Sequence, residues 1–117
     1  MKEKASPNSM EKSTFESGGE TKTIDVRFLG FPTIYDFFQG DSIKHTFSGN
    51  TLMDLIHNII SHYGERVKEA LWDQKIDMLD PSIQIMINKK YVKRTDLHNL
   101  TISQGDKVTF LKLLAGG

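Results

Sequence analysis

Apolar and polar residues alternate cleanly from Thr23 to Leu29. Ile24, Val26 and Phe28 share one face, while Asp25 and Arg27 share the other. A period of two residues predicts a half-buried strand. Ile43, His45 and Phe47 repeat the alternation and predict a second strand, paired with the first in a hairpin. Gly30, Pro32 and Gln39-Gly40-Asp41 punctuate the connection between them, which holds the aromatic residues Tyr35, Phe37 and Phe38. Ser48-Gly49-Asn50 breaks the second strand. Leu52, Leu55, Ile56, Ile59, Ile60 and Tyr63 then follow at the spacing of an amphipathic helix. Asn50 or Thr51 caps its start, Asp54 complements the helix dipole in the first turn, and Gly64 stops it.

The pattern from Glu65 to Pro81 is less regular, with Val67, Ala70, Leu71 and Trp72 placed for a further short helix covering an end of the sheet. Beyond Pro81, Ile83, Ile85 and Ile87 alternate with Gln84 and Met86 in a third strand. Asn88-Lys89-Lys90 makes a turn, and Tyr91 with Val92 a short return. Leu97, Leu100 and Ile102 read as loop anchors before a Gln104-Gly105-Asp106 turn. Lys107 to Leu113 forms the last strand, with Val108 and Phe110 opposed to Thr109 and Leu111. The order predicts an α+β domain: a mixed sheet of four to five strands with one main helix across one face.

Composition changes sharply near residue 22. Residues 1–22 hold four Lys and four Glu among Ser, Thr, Gly, Pro and Asn, with Met1, Ala5, Met10 and Phe15 as the apolar residues. Such a segment buries too little surface to offset its ordering entropy, so it reads as a disordered tail, with residues 23–117 as the domain. The domain carries 11 basic and 11 acidic residues, and the whole 117-residue chain is neutral, which argues against coating phosphate backbones or acidic membranes. There is no export-signal pattern and no apolar run of membrane-spanning length, so the expectation is a soluble cytoplasmic protein. The absence of Cys excludes disulfides, zinc-thiolate sites, iron–sulfur clusters and a cysteine nucleophile.

Few side chains offer chemistry. His45, His57, His62 and His98 lack the spacing of a zinc motif and read as surface or rim residues, so no metal site is expected. Lys89, Lys90, Lys93 and Arg94, with Tyr91 among them, form a basic run. A solvated hairpin is its commoner reading, ahead of nucleic-acid binding or an acidic protein partner. The glycines make no phosphate loop, and no Ser lies in a nucleophile elbow. A catalytic site carried wholly by this chain is not expected.

The run Leu113-Leu114-Ala115-Gly116-Gly117 is different in kind, because an apolar strand passes directly into two glycines. A carboxylate after two glycines has no Cβ near its carbonyl and can be threaded into a narrow active site where side chains would clash. That suits an acyl group activated by another enzyme, for example as an acyl-adenylate; a frayed end without a role is the plainer reading. Leu111 and Leu113 fall on the face opposite the helix and form a candidate partner patch beside this tail. The alternative is that the Tyr35–Phe38 connection or the 65–80 segment covers them.

Taken together, these features resemble the ubiquitin-like sulfur carriers, the family of the molybdopterin synthase small subunit and the thiamine-pathway carrier. Ile85 to Val92 is similar to the family's strand, Asn turn and return. Leu100 through Gly105-Asp106-Lys107-Val108-Thr109-Phe110 is similar to its approach to the final strand, and Leu114-Ala115-Gly116-Gly117 to its Gly-Gly end. Val26-Arg27-Phe28-Leu29 and Thr51-Leu52-Met53-Asp54-Leu55 also fit. The segment before Thr23 and the long stretch Glu65–Pro81 depart from the smallest members. The resemblance implies a β-grasp fold and a carrier that is not itself an enzyme and binds no cofactor. Gly117 would be adenylated with ATP by an E1-like partner and converted to a thiocarboxylate by a sulfur donor, with Gly116 and Ala115 as the threading segment. Phe110, Leu111, Leu113 and Leu114 would meet a large synthase subunit, most economically in molybdopterin synthesis. Thiamine or tRNA thiolation, or conjugation to proteins through Gly117, are the alternatives.

Overall fold

The alternating segments pair as one five-stranded sheet. The computed structural model describes residues 21–113, and its first hairpin joins β1 (Thr21–Leu29) to β2 (Ser42–Ser48) in antiparallel register, with Val26 opposite Ile43 and Ile24 opposite His45. The strand opens at Thr21, so Thr21 and Lys22 belong to the sheet and not to the expected tail; residues 1–20 of that tail lie outside the described residues. β5 (Ile83–Ile87) returns through β6 (Lys90–Val92), and β7 (Lys107–Lys112) inserts between β1 and β5. The strand order is β2-β1-β7-β5-β6, with β7 parallel to β1 and antiparallel to β5. The final strand therefore occupies the centre.

The aromatic connection after β1 is a helix, not a loop. α1 (Pro32–Phe38) begins with Pro, whose fixed φ and missing N–H suit a first helical turn, and ends at Gln39 in the left-handed region. At seven residues it is too short to show a full amphipathic repeat, which is why its pattern is illegible in the sequence. It buries Ile34 and places Phe38 on Phe28, 5.9 Å between ring centroids, and edge-on to Tyr63. Thus the aromatic segment packs on the helix side of the sheet.

α2 (Leu52–Tyr63) crosses that side and buries Leu52, Met53, Leu55, Ile56 and Ile59. Its start is a full capping box. Thr51 Oγ1 accepts from Asp54 N–H at 3.1 Å, and Asp54 Oδ2 accepts from Thr51 N–H at 2.9 Å. Two further N-terminal donors are satisfied from far along the chain: Leu52 N–H bonds Leu100 O, and Met53 N–H bonds Leu97 O. Leu97 and Ile102 are buried, so the expected loop anchors both fill the core and hold the helix start. α3 (Glu65–Leu71) follows Gly64, buries Val67 and Leu71, and leads into a small ribbon of β3 (Trp72–Asp73) and β4 (Met78–Leu79). A single 3-10 turn, Arg94–Asp96, follows β6.

The core is centred on the β1–β7–β5 register, where Phe28, Phe110 and Ile85 lie side by side. The Phe28 and Phe110 rings stack with centroids 5.4 Å apart. Phe110 is fully buried (0% exposed), so it cannot be a partner contact of the folded domain. It sits on the inward parity of a central strand, and its ring is consumed by the core. None of the helices among the described residues is long and apolar enough to cross a membrane.

Candidate functional site

The inward parity of Phe28, Phe110 and Ile85 forces their neighbours to the opposite face, which no helix among the described residues covers. Leu29, Leu111 and Gln84 lie in one row across β1, β7 and β5; Arg27, Thr109, Met86 and Tyr91 lie in the next. Leu29, Met86 and Thr109 line a shallow groove with Asp25, Arg27, Lys44 and Lys107. Leu29, Met86 and Leu111 are half-buried, whereas Tyr91 is 66% exposed and Leu113 is 48% exposed. The candidate patch at Leu111 and Leu113 is therefore open, because α1 lies on the helix side and α3 packs against α2. Leu29, Met86 and Tyr91 extend it. Sequence reasoning missed these three as a group because register between distant strands has no local signal.

Charges rim the groove at the far end of the same face. Lys44 Nζ lies 2.7 Å from Asp25 Oδ1, and Arg27 lies 3.8 Å from Asp41. The hydrogen bond from Lys44 holds the Asp25 carboxyl below its usual range; desolvation opposes it, and the nearby Lys44 and Lys107 charges add to the lowering. These are exposed pairs and contribute little stability. An apolar sector thus adjoins a mixed-charge rim.

The basic run is broken up by the fold. Asn88 and Lys89 both adopt positive φ (49° and 74°) in the two-residue link between β5 and β6, and Tyr91 points to the open face. Arg94 turns away and donates to the carbonyls of Leu79, Asp80 and Ile83. It is a structural cation.

His45 departs from the surface reading, being only 2% exposed. Its inward position on β2 places Nε2 2.7 Å from Asn58 Oδ1 and Nδ1 3.2 Å from Tyr63 Oη. Asn58 accepts, so Nε2 carries the proton and Nδ1 accepts from the tyrosine. Burial pushes the pKa of His45 down and the neighbouring His62 adds to this, opposed by the Asn58 hydrogen bond. His57 lies against Trp72, with ring centroids 5.2 Å apart and the planes tilted by 50°. No group of three or more potential metal ligands occurs among the described residues.

At the far end of β7, the chain leaves the sheet beside the apolar sector. Lys112 Nζ meets Asp80 Oδ2 at 2.8 Å, and Leu113 N–H donates to Ser82 O at 2.8 Å. Leu114, Ala115, Gly116 and Gly117, all named by the sequence as partner or acyl-bearing residues, lie outside the described residues. What the geometry supplies is their attachment point, in the centre of the sheet and next to an exposed leucine.

Residues 31–117 match the ThiS family, from the residue before α1 through Gly117. No curated protein matches the chain. Among solved structures, it is similar to small archaeal modifier protein 1 (SAMP1) of Methanosarcina acetivorans, with 20% identity, TM-score 0.63, and coverage of 85% of this chain and 100% of that one. It is also similar to a chain of the BexX/CysO complex of Amycolatopsis orientalis, with 24% identity, TM-score 0.58, and coverage of 80% and 99%. A third similarity is to the complex of subunits 1 and 2 of the molybdopterin-converting factor from Helicobacter pylori 26695, with 23% identity, TM-score 0.50, and coverage of 81% and 99%. These likenesses show the fold, an α+β ubiquitin-like β-grasp. ThiS-family members carry sulfur without catalysing its transfer and bind no cofactor. With the β-grasp sheet and the family match both in place, the chain belongs to the ThiS family of ubiquitin-like sulfur carriers.

Proposed function

We propose that the chain carries sulfur on the carbonyl of Gly117 and serves as the small subunit of a molybdopterin synthase. The observation that carries this reading is the family match running through Gly117, on a chain whose sequence has no cysteine to bear sulfur instead. The Gly117 carboxylate attacks the α-phosphorus of ATP on an E1-like adenylating enzyme, and pyrophosphate leaves. A sulfide-level sulfur nucleophile then attacks the acyl-adenylate carbonyl, and AMP departs to leave a thiocarboxylate. Sulfur passes to the pterin precursor inside the large subunit, and hydrolysis of the acyl–sulfur bond regenerates the carboxylate. Gly116 and Ala115 thread the acyl group; Leu111, Leu113 and Leu114, with Leu29, Met86 and Tyr91, meet the partners. The similarity to a converting-factor complex supports the pathway.

The test is intact-mass spectrometry of the chain after incubation with its host's adenylating enzyme, ATP and a sulfur donor, followed by addition of large synthase subunit and precursor. Replacement of one oxygen by sulfur at Gly117, discharged on adding precursor, is the expected result. Charging that discharges only onto another acceptor would move the chain to thiamine or tRNA thiolation, and an absence of charging would overturn the carrier reading. A second reading, conjugation of Gly117 to lysines, is favoured by the likeness to an archaeal modifier. Higher-mass conjugates in denatured samples would support it.

A further inference from the structure

The end of β7 is held from both sides. Gly30 follows β1 with φ +84°, and a Cβ at that position would lie 3.1 Å from Lys112 O and 3.2 Å from Lys112 Cβ. A side chain there would be strained and would press on the last residue of the strand. On the other side, Lys112 Nζ pairs with Asp80 Oδ2, both side chains being about one-third exposed (32% and 29%). The other oxygen of Asp80 accepts from Ser82 N–H and Ser82 Oγ, each at 2.9 Å. Leu113 N–H then donates to Ser82 O, continuing the clamp one residue past the strand.

The clamp is itself anchored. Asp80 N–H donates to Leu71 O at 2.8 Å, tying the 79–83 segment to the end of α3. Arg94 donates to the carbonyls of Leu79, Asp80 and Ile83 from below β6. The Asp80 carboxyl lies at about 2, lowered chiefly by the hydrogen bond from Lys112 and the Ser82 amide, so it stays ionised at any physiological pH. A strand end fixed in this way contrasts with the fraying usual near chain termini.

We propose that Asp80 is a positioning residue for acyl activation: with Ser82, Lys112 and Gly30 it forms a collar that fixes where residues 114–117 leave the sheet. This rests on the sulfur-carrier reading above. The four residues beyond Leu113 reach at most about 14 Å when fully extended. A partner docked on the open sheet face must therefore hold its active site within that radius of the collar. If the collar opens, Lys112 and Leu113 lose their fixed place in the sheet, and their order must be restored each time the acyl group enters the active site. Docking through Leu29, Met86, Tyr91 and Leu111, which lie outside the collar, is left intact, so most of the loss falls on turnover.

The experiment compares full-length wild type with Asp80→Asn, Lys112→Met, Lys112→Arg and Gly30→Ala, well below their unfolding temperatures. Steady-state pyrophosphate release is measured with the host's own E1-like adenylating enzyme. Asp80→Asn and Lys112→Met are expected to lower kcat about five- to tenfold, with KM for the carrier within about twofold. Lys112→Arg keeps the pair and the rate. Gly30→Ala lowers kcat by acting on Lys112 from the opposite side. A residue that only stabilises the fold would leave kcat unchanged where the chain is fully folded. Amide exchange supplies a readout independent of any partner: Leu113 N–H is protected in wild type and loses at least about tenfold protection in Asp80→Asn, while Val108 and Phe110 amides do not change. An unprotected Leu113 in wild type, or unchanged kcat in Asp80→Asn alongside an active wild type, overturns the collar alone. A wild type that no adenylating enzyme activates overturns the carrier reading, and the positioning role with it.

Discussion

Phe110→Ala and Leu111→Ser alter adjacent residues of β7 and should have opposite consequences. Phe110 is fully buried, stacked on Phe28 and flanked by Ile85. Truncating a buried Phe to Ala costs about 3–5 kcal/mol from lost transfer energy and the cavity left behind. A domain of this size has roughly 5–14 kcal/mol of total stability, and each kcal/mol moves Tm by about 4–8 °C. A value of about 4 kcal/mol thus lowers Tm by roughly 16–32 °C. Leu111 faces the open side, half-exposed beside Leu29 and Gln84, so its replacement by Ser costs at most about 1 kcal/mol. Urea unfolding followed by circular dichroism, with a thermal melt as cross-check, measures both. At a temperature where Leu111→Ser is folded, its capture by a synthase large subunit should weaken although its fold is intact. The face assignment fails if Phe110→Ala costs less than about 1 kcal/mol, or if Leu111→Ser costs as much as Phe110→Ala.

Two further outcomes follow from local geometry. His45 has its pKa depressed below 6.5 by burial, so the unfolded chain takes up its proton first. Its contribution to stability is complete above 6.5 and is lost as pH falls towards the folded-state value. Urea midpoints should drop between about pH 7 and about pH 5, with the drop reduced in His45→Gln; an equal drop in both would show that another group is responsible. Thr51→Ala removes the acceptor for Asp54 N–H at 3.1 Å and should cost about 1 kcal/mol, with Thr51→Ser nearly neutral. A midpoint unchanged within error in Thr51→Ala would argue against the capping box as a source of stability.

Local pattern was enough for α2, for its cap at Thr51 and Asp54, for the β1–β2 hairpin and for the alternation of β5 and β7. In each, neighbours within a few residues settle the outcome: a capping side chain reaches three residues on, and a strand residue alternates faces with the next. The carrier identity was also legible, because the Gly-Gly sequence and the approach to the last strand are linear features. α1 was not, since seven residues offer too little periodicity and Pro32 reads equally well as a turn. His45 looked like a rim residue because polarity predicts exposure; Asn58 and Tyr63, 13 and 18 residues away, satisfy its nitrogens inside.

What each face of β7 meets is settled by long-range packing. Alternation along a strand already requires Phe110 and Leu111 to point in opposite directions. Which neighbours they meet is not a local matter, because the pairing of β7 with β1 joins residues about 80 positions apart and no local preference encodes that register. That pairing sets Phe110 on Phe28, Leu111 beside Leu29 and Gly30 against Lys112, while the pairing of β7 with β5 brings Asp80 to Lys112 from the other side. The Gly-Gly sequence is a linear feature; the open face beside it is assembled from four separate strands, because only long-range register brings Leu29, Leu111, Met86 and Tyr91 together.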